Sequence, residues 1–326
     1  MIKSFWKGAE RSEKTRINDS IFRELIKRGY SLEGNTRVWN IADSKLWYIT
    51  PQQAQAFLDL EKSEDYKKNI IQVETDLINL NIEEIIKKLG PEPLNIIDLG
   101  CGDGQKAVLV IKHLKGIKVR YCPIDISDYM VEKAINVVSK EGFGEVVKFQ
   151  WNISDFENVE NIANLLKQGE FRKNFILLLG NTLGNFEINE LLYEIKSGMN
   201  KGDFLLVGNG LNNQKIDDIL KAYDNKAVEN FLIKILTQIG LKEEELQYGV
   251  RFRNSRVEIY YTIKKDVKIT FLGRTISFYR GDQIIVAVSY KYDKHDLKTF
   301  LEMYFDDVKM YISPDESAAL ALCRVR

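Results

Sequence analysis

The segment IIDLGCGDGQK, Ile96 to Lys106, carries residue types and a spacing suited to binding a nucleoside. A short apolar run delivers Asp98, and glycines then alternate with other residues before a predicted helix begins. In such a turn, backbone N–H groups face the ligand and no Cβ atom blocks its approach. The GxGxG spacing differs from the GxGxxG dinucleotide motif and from the GxxxxGK[ST] phosphate loop. The alternative is a tight strand-to-helix turn that binds nothing.

Acidic residues follow the next two predicted strands. Asp125 ends YCPIDIS, 23 residues beyond Gly102, where a carboxylate can accept hydrogen bonds from both hydroxyls of a ribose. Asp155 and Phe156 follow in NISDFE, where a carboxylate can accept from an adenine amino group and a ring can flank the base. Taken alone, such a pair is most often a loop acid and a core ring. Together with the glycine turn, these positions predict an adenosine site.

The elements around these residues alternate between strands and helices. A helix predicted from Ile70 stops at Gly90 and Pro91. Strands are predicted at LNIIDLG, IKVRYCPIDIS, EVVKFQW, NFILLLG and DFLLVGN, with helical segments interspersed. This order predicts a parallel sheet covered on both faces, whose ligands bind at the carboxyl ends of its strands.

The pattern changes after residue 210. A long helical region is followed by YGVRFRNSRVEIYYTIKK, VKITFLG and RTISFYR, which are predicted antiparallel strands, and the chain ends in a strand, a helix and a strand. We therefore predict a parallel-sheet domain over residues 70–209, a smaller helix-plus-antiparallel unit over 210–282, and a return to the parallel sheet over 283–326. Residues 1–69 are predicted to add a helical segment to the smaller unit.

Length, composition and charge describe an ordinary globular chain. Its 326 residues can form two domains, and 44% hydrophobic with 29% charged residues argue against disordered and fibrous classes. Lys plus Arg and Asp plus Glu number 47 each, so no overall charge attracts nucleic acid or an anionic membrane. The basic segment MIKSFWKGAERSEKTR is interpreted as a solvated helix face.

Cysteine and histidine usage argues against a disulfide framework and a metal site. The three cysteines lack CxxC spacing, and the two histidines lie far from them in sequence. The N-terminus lacks the apolar core of a signal peptide, and no segment approaches the roughly 18 apolar residues of a membrane span. We expect a cytoplasmic protein without a bound metal.

The segment LLLGNTLGNFE, Leu177 to Glu187, is an apolar strand that ends in glycines, amides and a threonine. With the adenosine features, it resembles the Rossmann-like S-adenosylmethionine-dependent methyltransferases and, among them, the histidine-specific methyltransferases of ergothioneine biosynthesis. Relatives of that family include fungal dimethylallyltryptophan N-methyltransferases. Further motifs of the family resemble SKLWYI, SEDYKK, LKAYDN, RFRNSRVEIYY and GDQIIVAVSYKY, so the resemblance covers the chain from about Asp43 to its end.

The resemblance implies an α/β fold, with a Rossmann-like class I methyltransferase sheet and a second, smaller α+β substrate domain. It implies S-adenosyl-L-methionine as the cofactor, whose methyl group is transferred in line to a positioned nucleophile. For Lys106 the alternative to a cofactor contact is a solvated lysine in the first turn of a helix. Cofactor contacts are expected at Gly100, Gly102, Lys106, Asp125, Asp155, Phe156 and Gly180.

Substrate roles also follow from the resemblance. Asn185 is expected to hydrogen-bond the amine or carboxylate of an amino acid, with Tyr66 and Tyr223 closing its amino-acid end. Tyr48 is expected near the methyl-accepting nitrogen, which makes Tyr48 and Asn185 the candidate catalytic residues. Neutral hydrogen-bonding groups let an amine keep its lone pair, and aromatic faces attract a methylated ammonium.

One position departs from the family pattern. In the histidine enzymes the returning strand carries a glutamate two residues before a serine, and both side chains hold the imidazole; the aligned residues here are Ala287 and Ser289. A buried imidazole would lose a charge-assisted hydrogen bond of roughly 1.5 to 3 kcal/mol. We therefore predict N-methylation of an amino acid or related small amine other than histidine, with a more apolar side chain beside Ala287.

Two other functions are compatible with the sequence. The chain could methylate a protein or RNA that docks on its basic N-terminus, although GNTLGN stands where many amide and adenine methyltransferases carry an NPPY-type tetrapeptide. It could also bind the cofactor without catalysis. We expect a small-molecule amine as the partner, no membrane or nucleic-acid partner, and a monomer.

Overall fold

The computed structural model describes residues 18–212 and 215–326, so the whole of the basic N-terminal segment MIKSFWKGAERSEKTR lies outside the described residues. One π-helical turn, Lys67–Ile71, joins helix α3 to helix α4. The helices are α1 (Asp19–Arg28), α2 (Pro51–Lys62), α3 (Glu64–Tyr66), α4 (Gln72–Leu89), α5 (Gln105–Ile111), α6 (Asp128–Glu141), α7 (Val159–Leu166), α8 (Ile188–Ser197), α9 (Ile216–Lys221), α10 (Lys226–Thr237) and α11 (Lys294–Tyr304).

The described residues also form two large sheets and one separate hairpin. The strands are β1 (Tyr30–Glu33), β2 (Thr36–Asn40), β3 (Leu94–Leu99), β4 (Val119–Ile124), β5 (Gly144–Val146), β6 (Lys173–Leu178), β7 (Phe204–Gly210), β8 (Leu246–Arg253), β9 (Arg256–Ile263), β10 (Val267–Phe271), β11 (Arg274–Phe278), β12 (Gln283–Tyr290), β13 (Asp307–Ile312) and β14 (Ala318–Arg324).

The larger sheet has seven strands in the order β13-β14-β7-β6-β3-β4-β5. Strands β3 to β7 run parallel to one another, and β14 pairs antiparallel with β7. Every residue of β3 is buried, as are nearly all of β6 and β7, because helices cover both faces of the sheet. The predicted α/β fold with a parallel central sheet is confirmed.

The order of the parallel strands reverses at β3. The chain moves outward from β3 to β4 and β5 and then returns to β6 on the other side of β3. The carboxyl ends of these strands therefore surround the crevice in which doubly wound sheets bind ligands. Gly100, Asp125 and Gly180 lie within two residues of the ends of β3, β4 and β6, so the fold gathers them at one edge.

The smaller sheet has the strand order β1-β2-β12-β9-β8. Its apolar face shares one core with α1, α2 and α10, to which Ile21, Trp39, Phe231, Tyr261 and Ile284 contribute. Because these residues come from both ends of the chain, the N-terminal elements and the segment after residue 210 form one α+β unit. This unit stands beside the carboxyl edge of the parallel sheet and supplies side chains to it.

The structure differs from the predicted boundary at residue 283. Strand β12 lies inside the smaller sheet, between β2 and β9, and the chain returns to the parallel sheet only with α11, β13 and β14. The segment QIIVAVSY is apolar on both faces, and such a run does not distinguish a parallel strand from a central antiparallel one. The half-buried edge strand β13 gave no strong pattern and was not predicted.

Smaller differences concern three other predicted elements. The long helical region after residue 212 is two helices, α9 and α10, separated by a turn. The hairpin of β10 and β11 forms a sheet of its own. EVVKFQW contributes only the short edge strand β5, because the chain leaves the sheet after Val146. None of these differences moves the edge at which the predicted site residues lie.

Candidate active site

The turn after β3 requires glycine for its conformation and for its contacts. Gly100, Gly102 and Gly104 have φ angles of 69°, 51° and 81°, in the left-handed region that favours glycine. A Cβ atom at Gly100 would lie 3.2 Å from both Cγ2 and Oγ1 of Thr182, and one at Gly104 would lie 2.9 Å from Cα of Ala134. No atom lies within 4 Å of the corresponding position at Gly102, so the backbone there is open to a ligand.

Asp125 is fixed against this turn by backbone hydrogen bonds. Its Oδ2 accepts from the N–H of Gly102 at 3.3 Å, and its Oδ1 accepts from the N–H of Ser127 at 3.0 Å. Burial raises the pKa of Asp125 to about 6, although these backbone donors oppose the shift. At neutral pH the side chain is therefore mainly a carboxylate, whose remaining lone pairs can accept hydrogen bonds from a diol.

Asp98 lies beneath the turn at the end of β3. Its Oδ2 accepts a hydrogen bond of 2.7 Å from the hydroxyl of Tyr121, and burial raises its pKa to about 7. The sequence analysis noted Asp98 as part of the motif but assigned it no role. It lines the same cleft as the glycine turn, where it carries close to half a charge at neutral pH.

The carboxyl edge of β3, β4 and β6 opens into a cleft of about 940 Å³, which we call the first cleft. It is lined by most of the residues that the sequence predicted for cofactor binding and catalysis. These are Tyr48, Gly100, Gly102, Lys106, Asp125, Asp155, Phe156, Gly180 and Asn185. The structure thus gathers residues that are spread over nearly 140 positions of sequence into one site.

One end of the first cleft is aromatic and the other is charged. At the aromatic end, the rings of Phe156 and Phe186 lie 5.2 Å apart, centre to centre. Asp155 is the residue before Phe156, and its Oδ2 is 3.0 Å from Nζ of Lys45, which belongs to the smaller unit. Lys45 therefore links the two units across the cleft and was not singled out in the sequence.

Lys106 lies at the charged end and is not a solvated surface lysine. Its Nζ is 3.2 Å from Oε1 of Glu61 on α2. Burial disfavours the charge of Lys106, but attraction to Glu61 and Glu74 outweighs it, and the pKa of Lys106 is raised. A Cβ atom at Gly180 would lie 2.8 Å from this Nζ, so glycine at that position leaves the space that the ammonium occupies.

Glu74 is a buried acid that the sequence analysis missed. Both of its carboxylate oxygens lie 2.9 Å from the backbone N of Gly180, and burial raises its pKa. A Cβ atom at Gly208 would lie 2.0 Å from Oε1 of Glu74, so glycine is required in β7 as well. Glu74 shares the buried side of α4 with Leu77 and Ile78. An acid at the helical spacing of buried apolar residues is the sequence feature that could have identified it.

The three predicted tyrosines lie in different places: Tyr48 lines the first cleft, Tyr223 lines the second, and Tyr66 packs against the core of the smaller unit and lines neither. Tyr48 lines the first cleft and packs edge-on against Phe57, with 5.3 Å between ring centres. Burial raises the pKa of both Tyr48 and Tyr66, and Tyr66 is coupled electrostatically to Tyr48 and to Tyr223. The hydroxyl of Tyr223 hydrogen-bonds to a serine of the smaller sheet.

A second cleft of about 1240 Å³ opens at the carboxyl end of β7, and Tyr223 lines it. Glu74 also lines this second cleft, so it separates the second cleft from Gly180 in the first. The predicted substrate residues are therefore divided: Asn185 faces the first cleft, and Tyr223 faces the second.

The returning strand β12 contributes the last two predicted residues. Ala287 is buried in the core of the smaller unit, with 2% of its surface exposed. The Oγ of Ser289 lies 3.0 Å from the hydroxyl of Tyr223 and 3.1 Å from Nδ2 of Asn181. Within the described parts of the chain, neither Ala287 nor Ser289 lines the first or the second cleft.

Membrane-spanning helices and clusters of metal-binding side chains are both absent from the described residues. No helix there is both long and apolar enough to cross a membrane. In residues 18–212 and 215–326, no group of three or more His, Cys, Asp or Glu side chains is arranged to hold a metal ion.

The sheet order, the glycine turn after β3 and the acid after β4 together define a Rossmann-like S-adenosylmethionine-dependent methyltransferase. A family model described as "Histidine-specific methyltransferase, SAM-dependent" matches residues 54–325. The chain belongs to this family, and it is an enzyme that uses S-adenosylmethionine. The resemblance inferred from the sequence is confirmed.

Solved structures of other methyltransferases are similar at low sequence identity. An S-adenosylmethionine-dependent methyltransferase from Clostridium acetobutylicum is 12% identical, with 83% of this chain and 98% of that chain covered and a TM-score of 0.45. The magnesium protoporphyrin IX methyltransferase from Synechocystis, with bound SAH, is also 12% identical, with 83% and 93% covered and a TM-score of 0.43. No curated protein matches the chain in sequence.

Proposed function

We propose that this enzyme methylates the amine of an amino acid or a related small molecule, and that its acceptor is not histidine. The observation that carries the proposal is the pair Tyr48 and Asn185, two neutral hydrogen-bonding side chains in the same cleft as Asp125. An amine accepts a methyl group only through its free lone pair. Neutral partners in a buried site favour that unprotonated form.

The residues of the first cleft fit each part of the cofactor. Asp125 offers lone pairs to the ribose hydroxyls, and Phe156 offers a ring face to the adenine. Lys106 and Glu61 form an ion pair that matches a zwitterionic amino-acid end. When bound, S-adenosylmethionine supplies an electrophilic methyl group.

Catalysis by these side chains consists mainly of positioning. The raised pKa of Tyr48 keeps its phenol neutral, so it can orient an amine without adding a charge. Its ring and that of Phe57 form an aromatic wall of the first cleft, 5.3 Å apart, and the buried ring of Phe231 packs against both at 5.5 to 6.1 Å. Such faces attract a methylated ammonium by on the order of 0.5 to 2 kcal/mol.

The exclusion of histidine depends on Ala287. A methyl group at this buried position cannot accept a hydrogen bond from an imidazole N–H. The missing charge-assisted bond corresponds to roughly 1.5 to 3 kcal/mol, or about a tenfold to 150-fold loss of affinity. Ser289 has partners in Tyr223 and Asn181, so it does not replace the missing acid.

The test is methyl transfer from labelled S-adenosylmethionine to each of the twenty amino acids, to simple primary amines, and to cell lysate before and after size filtration. Transfer into small amines supports the proposal. Transfer only into the retained fraction would favour a protein or RNA acceptor, and cofactor binding without any transfer would indicate a non-catalytic protein. Tight calorimetric binding of histidine in the presence of S-adenosylhomocysteine would contradict the exclusion of histidine.

A further inference from the structure

The second cleft contains a buried lysine without an acidic partner. Lys291 follows β12, is 6% exposed and lines this cleft. In the described residues, no carboxylate lies within ion-pair distance of its Nζ. Two other lysines in tight sites do have such partners: Lys106 pairs with Glu61, and Lys167 pairs with Asp203 at 2.6 Å. An ammonium taken out of water is costly unless an opposite charge compensates it.

The surroundings of Lys291 hold the ammonium in place without neutralising it. Its Nζ donates to Oδ1 of Asn181 at 3.3 Å and lies 5.5 Å from the centre of the Tyr223 ring. A Cβ atom at Gly210 would lie 2.9 Å from this Nζ, so the glycine at the end of β7 makes room for it. Leu211 pairs with the residue after Lys291, which ties the lysine to the end of β7.

Three carboxylates line the same cleft, and each has another partner. Both oxygens of Glu74 accept from the backbone of Gly180. Asp218 forms an ion pair of 2.7 Å with Lys221. Asp315 accepts from the N–H and the hydroxyl of Ser317. None of these acids is the counter-charge of Lys291 in the described structure, so an anion from outside the chain can take that role.

Asn209 adds an unpaired acceptor to the cleft. It is 3% exposed, and its Nδ2 donates to the carbonyl of Gly210 at 3.0 Å, which fixes the orientation of the amide. Its Oδ1 has no hydrogen-bond partner among the described residues. Buried polar atoms are paired in nearly all cases, so this oxygen is suited to receive a donor from a ligand. The second cleft therefore presents a cation, the ammonium of Lys291, and a hydrogen-bond acceptor, Oδ1 of Asn209, close to the end of β7.

We propose that the second cleft binds the carboxylate of the methyl acceptor on Lys291, while Oδ1 of Asn209 accepts an N–H of the same molecule. This inference rests on the proposed function and narrows it to acceptors that carry a carboxylate near the amine, such as an α-amino acid. The second cleft adjoins the first at Glu74 and Gly180, so the acceptor spans from the end of β7 toward the methyl donor.

The experiment compares each amino acid with its own methyl ester, which keeps the amine and removes the negative charge. Binding is measured by calorimetry with S-adenosylhomocysteine present, and methyl transfer is measured with labelled cofactor. For the wild type we expect the acid of the preferred acceptor to bind about 10- to 100-fold more tightly than the ester, as for a hydrogen-bonded ion pair. Lys291→Met should reduce this ratio to about threefold or less, with unchanged affinity for S-adenosylhomocysteine.

Two further variants complete the test. Lys201→Met is the control, since Lys201 is an exposed lysine that lines neither cleft and its loss should leave the acid-to-ester ratio unchanged. Asn209→Asp places a carboxylate in the same cleft as Lys291, with almost the same shape as the amide that it replaces. It should also abolish the preference for the acid, because the internal charge competes with that of the ligand. This variant keeps the test valid if Lys291→Met fails to fold.

The outcomes separate this inference from the proposed function. If the wild type methylates esters or simple amines as well as acids, the carboxylate site is overturned while small-molecule N-methylation stands. An unchanged acid-to-ester ratio in folded Lys291→Met also overturns it. If no small amine binds or is methylated, the proposed function fails, and the carboxylate site fails with it.

Discussion

The two clefts adjoin at Glu74 and Gly180 but are built in different ways. The first is shaped by backbone: glycines with positive φ form its floor, and N–H groups hold Asp125 in place. The second is assembled from side chains of both units. Among the described residues, Lys291 has no acidic partner there and Oδ1 of Asn209 has no hydrogen-bond partner. In our proposal, a cofactor common to many enzymes binds where short local motifs shape the backbone. The acceptor, which differs between enzymes, would bind where side chains from distant segments meet.

The largest expected effect tests the first cleft. Asp125→Ala removes the carboxylate proposed for the ribose hydroxyls and leaves the N–H of Gly102 without its acceptor. We expect about a 1,000-fold loss of affinity for S-adenosylhomocysteine in calorimetry, from two charge-assisted hydrogen bonds of about 2 kcal/mol each. The exposed Asp128→Ala is the control. A loss of less than threefold for Asp125→Ala would refute the assignment of this cleft to the cofactor.

The second prediction concerns pH and Asp98. Burial raises its folded-state pKa from 3.8 to about 7, so the folded state binds the proton more tightly than the unfolded state. This contribution to stability is present at low pH and is lost as pH rises through 7. Asn does not titrate, so the stability of Asp98→Asn relative to the wild type should rise by about 2.5 kcal/mol between pH 5 and pH 7.5.

Urea unfolding at the two pH values measures this difference. The amide of the variant can still accept from Tyr121, and the buried carboxylates of Asp125 and Glu74 are present in both proteins, so their effects cancel. If the free energies of unfolding of Asp98→Asn and the wild type differ by the same amount at both pH values, Asp98 is ionised throughout this range.

The third prediction tests acceptor choice. Ala287→Glu restores the acid of the histidine-specific pattern and should raise the affinity for histidine about 10- to 100-fold in the presence of S-adenosylhomocysteine. Ala287→Gln has nearly the same volume without the charge and should give a much smaller gain. Circular dichroism checks that the larger side chain is accommodated in the core. If the wild type already binds histidine as tightly as Ala287→Glu does, residue 287 does not determine the acceptor.

The smallest effect is expected at Tyr48. Tyr48→Phe keeps the aromatic wall and removes the hydroxyl that we assign to the accepting amine. We expect kcat to fall roughly fivefold, as for the loss of one hydrogen bond of about 1 kcal/mol, with unchanged affinity for S-adenosylhomocysteine. Tyr193→Phe, at an exposed position, is the control. Equal kcat values for the two variants would remove Tyr48 from the reaction.

The sequence predicted the first cleft better than the second because the signals differ in range. Gly100, Gly102 and Asp125 belong to short segments whose turn conformations and strand ends follow local rules. Glu74 meets a backbone group 106 positions away, and Lys291 meets Asn181 110 positions away. No local pattern encodes such contacts. The place of β12 in the smaller sheet was missed for the same reason, since its partners β2 and β9 lie far apart in sequence.

The π-helical turn Lys67–Ile71 determines how the residues before it are rotated around the helix axis relative to the residues after it. In an α-helix each residue turns the chain by 100°, so the extra residue of a π-type turn shifts everything before it around the helix axis. Tyr66 lies just before this turn, and Glu74 lies in the first turn of α4 after it. A continuous α-helix would direct Tyr66 to another side while Glu74 stayed at Gly180. The local widening of one helix thereby keeps an aromatic of the smaller unit and an acid of the sheet domain on the same boundary.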